Sequence, residues 1–216
     1  SLEEYIPKEG LSVTEFLRIS IPLTKALVFI HHNNIIHKDI KPRNILINPD
    51  TQEIKVTDFG LASKLEYEMQ QVVNPDQLEG TLPYISPEQT GRMNRSIDYR
   101  TDFYSLGITL YKMITGNLPF IADDAMELVH SHIAKIPIPP LDLKPTISDV
   151  LSELIMILLS KNAEDRYQSA RGILTDLEKM QSALEHEGEI AYFRLRQQDV
   201  SGVFHIPQKL YGREKE

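Results

Sequence analysis

Two polar clusters flank a short β-rich stretch, and their spacing restricts the fold more than any other feature of the chain. The first is His37-Lys38-Asp39-Ile40-Lys41-Pro42-Arg43-Asn44, the second is Asp58-Phe59-Gly60, and Asp39 and Asp58 stand 19 residues apart. Between them, Asn44 to Ile47 and Glu53 to Thr57 are rich in β-formers, while Asn48, Pro49 and Asp50 supply turn residues. That pattern predicts a hairpin. From the order of these motifs, Asp39, Asn44 and Asp58 are expected to converge on one open face.

The rest of the chain reads as helices. Ser12 and Glu15 have capping-box spacing ahead of Val13, Phe16, Leu17, Leu27, Val28 and Ile30, which predicts a largely buried helix to about His32. Pro22 is expected to kink it, because proline removes a backbone donor and clashes with the preceding turn. Phe103, Leu106, Leu110, Tyr111 and Ile114 recur at helical spacing over Asp102 to Thr115, and Gly116 and then Pro119 stop that helix. Further helices are expected near Asp124 to Ala134, from Ser148 to Ser160, and from Ser169 to about Glu187. Gly60 to Gly80 is polar and poorly periodic, which predicts a long loop of the kind that usually carries function. Gly188 to Glu216 is weakly periodic and is expected to be a linker.

Composition removes whole classes of function. The longest apolar run, Leu154 to Leu159, falls far short of the roughly 18 residues of a membrane span. With no cysteine, the chain has no disulfide, thiolate metal site or thiol catalysis, as fits a reducing cytoplasm. A net charge of −8 argues against a nucleic-acid binder. The closest two of the ten glycines are nine residues apart, so no glycine-rich phosphate cradle is encoded. His31, His32, His130 and His132 suit late helical turns better than a metal site, since no carboxylate–histidine spacing accompanies them.

In this order the motifs resemble those of the protein kinase family. The first cluster is similar to the kinase catalytic loop and Asp58-Phe59-Gly60 to the motif that follows it. Gly80-Thr81-Leu82-Pro83-Tyr84-Ile85-Ser86-Pro87-Glu88 resembles the end of a Ser/Thr kinase activation segment. Asp102 to Gly107 resembles part of the central kinase helix, and Asp165-Arg166 stands where the family keeps a late arginine. The resemblance implies a mainly α fold: the helical C-terminal lobe of the protein-kinase fold with a small β-hairpin, the N-terminal β lobe absent. Residues 1–187 would form that lobe and 188–216 a linker toward a downstream ATPase module.

The chemistry implied is transfer of the ATP γ-phosphoryl group to Ser or Thr hydroxyls of a protein substrate. Such transfer needs an oriented hydroxyl and neutralised phosphate charge, with little covalent work for the protein. Asp39 would orient the hydroxyl and accept its proton, and Lys41 would place a cation beside the nucleotide phosphate. Asn44 and Asp58 would bring oxygen ligands to Mg²⁺, and Leu46 would lie under the adenine. Thr81, the expected partner of Lys41, implies a Ser/Thr acceptor rather than Tyr. His37 and Phe59 are expected to hold the loop by packing and Asp102 to be structural. Glu88 and Arg166 are expected to form a buried ion pair.

Departures from the family matter too. Lys38 stands where the family has an arginine that clamps a phosphorylated loop residue, and lysine lacks that bidentate fork. Between Lys64 and Glu79 the only hydroxyl is Tyr67, so mid-loop Ser/Thr phosphorylation is not expected to control activity. The glycine-rich loop and the lysine and glutamate of the N-terminal lobe have no counterpart here, and the isolated chain is expected to turn over no ATP. Residues Gln89 to Arg95, Met126 to His130 and His205 to Glu214 resemble the kinase module of large bacterial signalling proteins, cytoplasmic and followed by ATPase and sensor histidine-kinase modules. Two other functions stand beside the kinase: a non-catalytic pseudokinase-like regulatory module and a small-molecule phosphotransferase. Intact Asp39, Lys41, Asn44 and Asp58 weigh against the first, and the Thr81 to Glu88 segment against the second.

Overall fold

The structure, a computed structural model, describes residues 1–48, 50, 51, 53–64, 81–93 and 95–200. It is mainly α, with two small two-stranded sheets among the described residues. A short helix α1 (Leu2–Tyr5) leads into α2 (Val13–His32), whose N-cap Ser12 accepts the Glu15 N–H as the capping-box spacing predicts. Pro22 does not end α2, which is assigned as one helix across it. Two strands follow as the expected hairpin, β2 (Ile45–Ile47) and β3 (Ile54–Val56), antiparallel with Leu46 opposite Lys55. The second pair was not expected. β1 (Ile35–Ile36) pairs with β4 (Ser63–Lys64), so the start of the segment read as loop from Gly60 is a strand. Residues 65–80 of that segment lie outside the described residues, as do Glu66, Tyr67, Glu68, Asp76 and Glu79.

The centre of the molecule is α3 (Arg100–Thr115), buried at every residue except Lys112. A helix buried on all sides needs partners on all sides, and apolar Phe103, Leu106, Ile108, Leu110, Met113 and Ile114 supply the contact surface. Each such side chain contributes roughly 1.5–3 kcal/mol on burial. Against α3 pack α6 (Asp149–Leu158), capped by Ser148, and α2; α7 (Ala170–Glu187), capped by Ser169, lies along α2. The α3–α6 approach is close: a Cβ on Gly107 would stand 2.8 Å from that of Leu158. α4 (Ala125–Ala134), capped by Asp124, and the short α5 (Pro140–Leu143) complete the lobe.

Two glycines let the chain cross itself beneath α3. At Gly10 (φ 74°) a Cβ would lie 2.1 Å from the Ile114 carbonyl oxygen, and at Gly116 (φ 76°) 2.0 Å from that of Lys8. The Lys144 ammonium then donates to the carbonyls of Leu11, Ile114 and Glu9 at 2.8, 3.2 and 3.3 Å, tying both segments to α5.

Residues 189–200, read from sequence as the start of a linker, are packed onto the body: Leu195 is buried in the core, and Ile190 and Phe193 lie against it. Periodicity missed this because the strap is held by side-chain hydrogen bonds rather than by a helix. Residues 201–216 lie outside the described residues. No helix among the described residues is long and apolar enough to cross a membrane.

Candidate active site

The loop between β1 and β2 is shaped from beneath. Asp102, fully buried in the first turn of α3, accepts the N–H groups of His37 at 2.9 Å and Lys38 at 2.7 Å and meets His31 Nε2 at 2.8 Å. Lys38 adopts a left-handed conformation, φ 65°, which a non-glycine residue takes at a cost; the Asp102 carboxylate fastens the backbone there. Gln89 holds the other side of the turn, its amide donating to the Lys38 carbonyl at 2.9 Å. His37 is buried: it accepts the Asp39 N–H at Nδ1 and so donates from Nε2 to the Thr57 carbonyl at 3.1 Å. One histidine thereby ties the loop to the strand that delivers Asp58.

Asp39 lies at the centre of the site, 6% exposed. Its Oδ2 accepts from Asn44 Nδ2 at 2.8 Å and faces Lys41 Nζ at 2.8 Å. Its Oδ1 has no partner among the described residues. A shielded carboxylate oxygen without a donor costs about 1–3 kcal/mol, so this atom is open to a donor from outside the described residues. Lys41 also donates to the Thr81 hydroxyl at 2.7 Å, binding the segment after residue 80 to the loop.

Asn44 spends its amide hydrogens on Asp39, the second at 3.0 Å to the main-chain carbonyl, which fixes the side chain and leaves Oδ1 outside these two bonds. Thr57 hangs from the Asn44 carbonyl by its N–H at 2.9 Å and its hydroxyl at 3.1 Å, so Asp58 emerges beside Asn44. Asp58 is exposed and left-handed, φ 64°, with the Gly60 N–H on Oδ1 at 3.4 Å. Two oxygen donors of this kind fit Mg²⁺, a hard cation that takes few protein ligands and completes its shell with phosphate and water. Leu46, on β2 two residues after Asn44, is 46% exposed.

Phe59 departs from the packing role expected of it. Its ring lies tilted at 56° to that of His37, centres 4.7 Å apart, but is 46% exposed.

Glu88 and Arg166 form the expected buried pair, at 2.7 and 2.8 Å in a two-pronged contact, with Thr101 donating to Glu88 at 2.8 Å. Burial pushes the Glu88 carboxyl up, but the Arg166 charge and hydrogen bonds outweigh it and hold the group below its ordinary value. Arg166 also donates to the carbonyls of Ser160, Arg100 and Lys161, so the guanidinium is fully used. Sequence reasoning missed Gln89 and the role of His31. His31 had been assigned to the helix dipole, and its position at the end of α2 gave no sign of a partner on α3. Among the described residues no three of His, Asp or Glu gather to hold a metal ion.

Known proteins are similar to this chain in sequence. A family model described as the protein kinase domain matches residues 1–186. A probable serine/threonine-protein kinase of Clostridium perfringens is 39% identical over 181 residues, covering 83% of this chain and 26% of that protein. The serine/threonine-protein kinase PknB of Mycobacterium leprae is 40% identical over 183 residues, 84% of this chain and 29% of its own length. The chain thus spans under a third of these relatives. With a match over nearly all of its described length, and with the loop, hairpin and buried ion pair on one helical lobe, the chain belongs to the protein kinase domain family.

Proposed function

We propose that this chain carries the phosphoryl-transfer face of a Ser/Thr protein kinase. The observation that carries the reading is the division of labour on Asp39: one oxygen is fixed by Asn44 and Lys41 while the other has no partner. In this reading Asp39 Oδ1 accepts the hydrogen of a Ser or Thr hydroxyl and turns its oxygen toward the phosphorus. Lys41 holds the carboxylate in line and lends positive charge to the oxygens of the transferring group. ATP with Mg²⁺ supplies the γ-phosphoryl group. Asn44 Oδ1 and the Asp58 carboxylate hold the cation, and Leu46 packs under the base. Thr81, on the same ammonium as Asp39, sets the acceptor segment against the loop.

The fit of the residues to a hydroxyl acceptor and a hard cation supports enzyme over regulatory scaffold, because a scaffold has no use for an unpaired buried carboxylate oxygen. The Gln89–Arg95 and Tyr211–Glu214 motifs support a place in a cytoplasmic bacterial signalling protein with ATPase and sensor modules downstream. Incubating the full-length protein with Mg²⁺ and γ-labelled ATP, followed by phosphoamino-acid analysis, tests the reading. Label on Ser or Thr is expected. Label on Tyr alone, or none on any protein acceptor, would overturn it.

A further inference from the structure

Residues 189–200 lie past residue 186, where the match to the kinase family model stops, yet two buried carboxylates build them into the lobe. Asp176 of α7 accepts the Arg196 N–H at 2.9 Å and the Tyr167 hydroxyl at 2.7 Å. Asp199, its side chain 1% exposed, accepts the Gln168 N–H at 2.7 Å, the Ser169 hydroxyl at 2.9 Å and Arg196 Nε at 3.4 Å. Gly172 has no side chain because a Cβ there would stand 2.5 Å from Asp199 Oδ1. The strap therefore grips Gln168 and Ser169 through Asp199, while Arg196 ties it to Asp176 and, at 3.1 Å, to the Asp165 carbonyl.

That loop also carries Arg166. Gln168, whose N–H is the shortest contact of Asp199, donates from its side chain to the Arg166 carbonyl at 2.7 Å. It accepts Arg100 Nη1 at 2.8 Å, and its carbonyl accepts the Tyr99 hydroxyl at 2.8 Å. Arg166 holds Glu88; Glu88 opens the turn that contains Gln89; Gln89 fixes the Lys38 carbonyl, one residue before Asp39. Every link in this path is a hydrogen bond or a peptide bond.

We propose that Asp199 is a positioning residue for the phosphoryl-transfer face and that it couples the strap, residues 189–200, to the segment 81–90. This rests on the kinase reading of the face. Pulling Asp199 out of the loop strips an acceptor from the Gln168 N–H and the Ser169 hydroxyl together, and the loop that aims Arg166 at Glu88 loses its outer support.

Hydrogen exchange on the full-length protein tests this without depending on activity. Asp199→Asn removes the charge, and Gly172→Ala displaces the same carboxylate from the other side. Leu184→Ala, which trims the core at the far end of α7, is the control for a general loss of stability. In both test variants the Ile85, Gln89 and Thr90 amides, bonded to Leu82, Ser86 and Pro87 carbonyls, should exchange about tenfold faster with α2 unchanged. Leu184→Ala should leave those three amides unchanged relative to α2. With an active enzyme, Asp199→Asn should also raise KM for the protein acceptor and not for ATP. Faster exchange confined to 163–172 and the strap, or spread equally over α2, or reproduced by Leu184→Ala, would overturn the proposal. Absence of phosphoryl transfer by the wild type would count against the kinase reading alone, since the exchange pattern is read independently.

Discussion

Arg166 spends every donor it has inside the protein, and its loss would strand Glu88 in a site where no water replaces the guanidinium. Arg166→Met should therefore destabilise the lobe by about 3–5 kcal/mol, on the order of 10 °C in Tm. The Glu88→Gln/Arg166→Met double variant should cost clearly less than the two single losses added. Thermal melts of the four proteins check this cycle, and simple additivity would mean that the pair is not coupled. Legibility at this scale follows motif membership, since the Glu88–Arg166 pair was expected across 78 residues. Asp39, Lys41 and Asn44 fall within six residues, so a motif delivers them together, and the structure brings Thr81 to them across 40 residues through Lys41. His31 and Gln89 were not legible, because no motif read from the sequence names their partners, Asp102 and the Lys38 carbonyl, and neither pairing leaves a periodic trace.

Helices with side-chain caps were legible to within a residue or two: Ser12, Asp124, Ser148 and Ser169 each accept a backbone N–H where the sequence places the start. Strand β4 was not, since two residues carry no alternation, and α5 lies in a proline run whose fixed φ angles suit a first helical turn. Where α4 meets α3, His132 is fully buried with Nδ1 facing the Tyr104 hydroxyl, and Phe120 stands edge-on to its ring. Burial and then the Lys161 charge push His132 down to about 3. The native state thus stays unprotonated while the unfolded chain takes a proton near pH 6.5, so stability is full above about 6.5 and falls as pH drops toward 3. Urea melts at pH 7 and pH 5 should show that loss, and His132→Gln should shrink it; an unchanged slope would mean the imidazole is protonated in the native state. The crossing at Gly10 offers a second check at this scale. Gly10→Ala meets both a left-handed backbone and the Ile114 carbonyl, and should cost more than about 2 kcal/mol by chemical denaturation.

At the scale of the whole molecule, the order of motifs was enough to draw the lobe: loop, hairpin, anchored segment and central helix occur in the chain as they occur in space. The strap was invisible by comparison, because Leu195 is its one buried apolar side chain and its hold on the body comes from Asp176 and Asp199. Ending the chain at Glu187 should lower Tm by several degrees, since it removes the buried Leu195 and leaves the Gln168 N–H and the Ser169 hydroxyl without Asp199. An unchanged melt would mean that the strap is not part of the folded unit. The central claim is that Asp39 Oδ1 is the acceptor for the substrate hydroxyl, and steady-state kinetics of Asp39→Asn in the full-length protein test it most directly. Asparagine keeps the volume and an acceptor toward Asn44 and Lys41 but cannot take the proton. A fall in kcat of at least about 100-fold with KM for ATP unchanged is predicted. A kcat within about twofold of wild type would contradict the assignment.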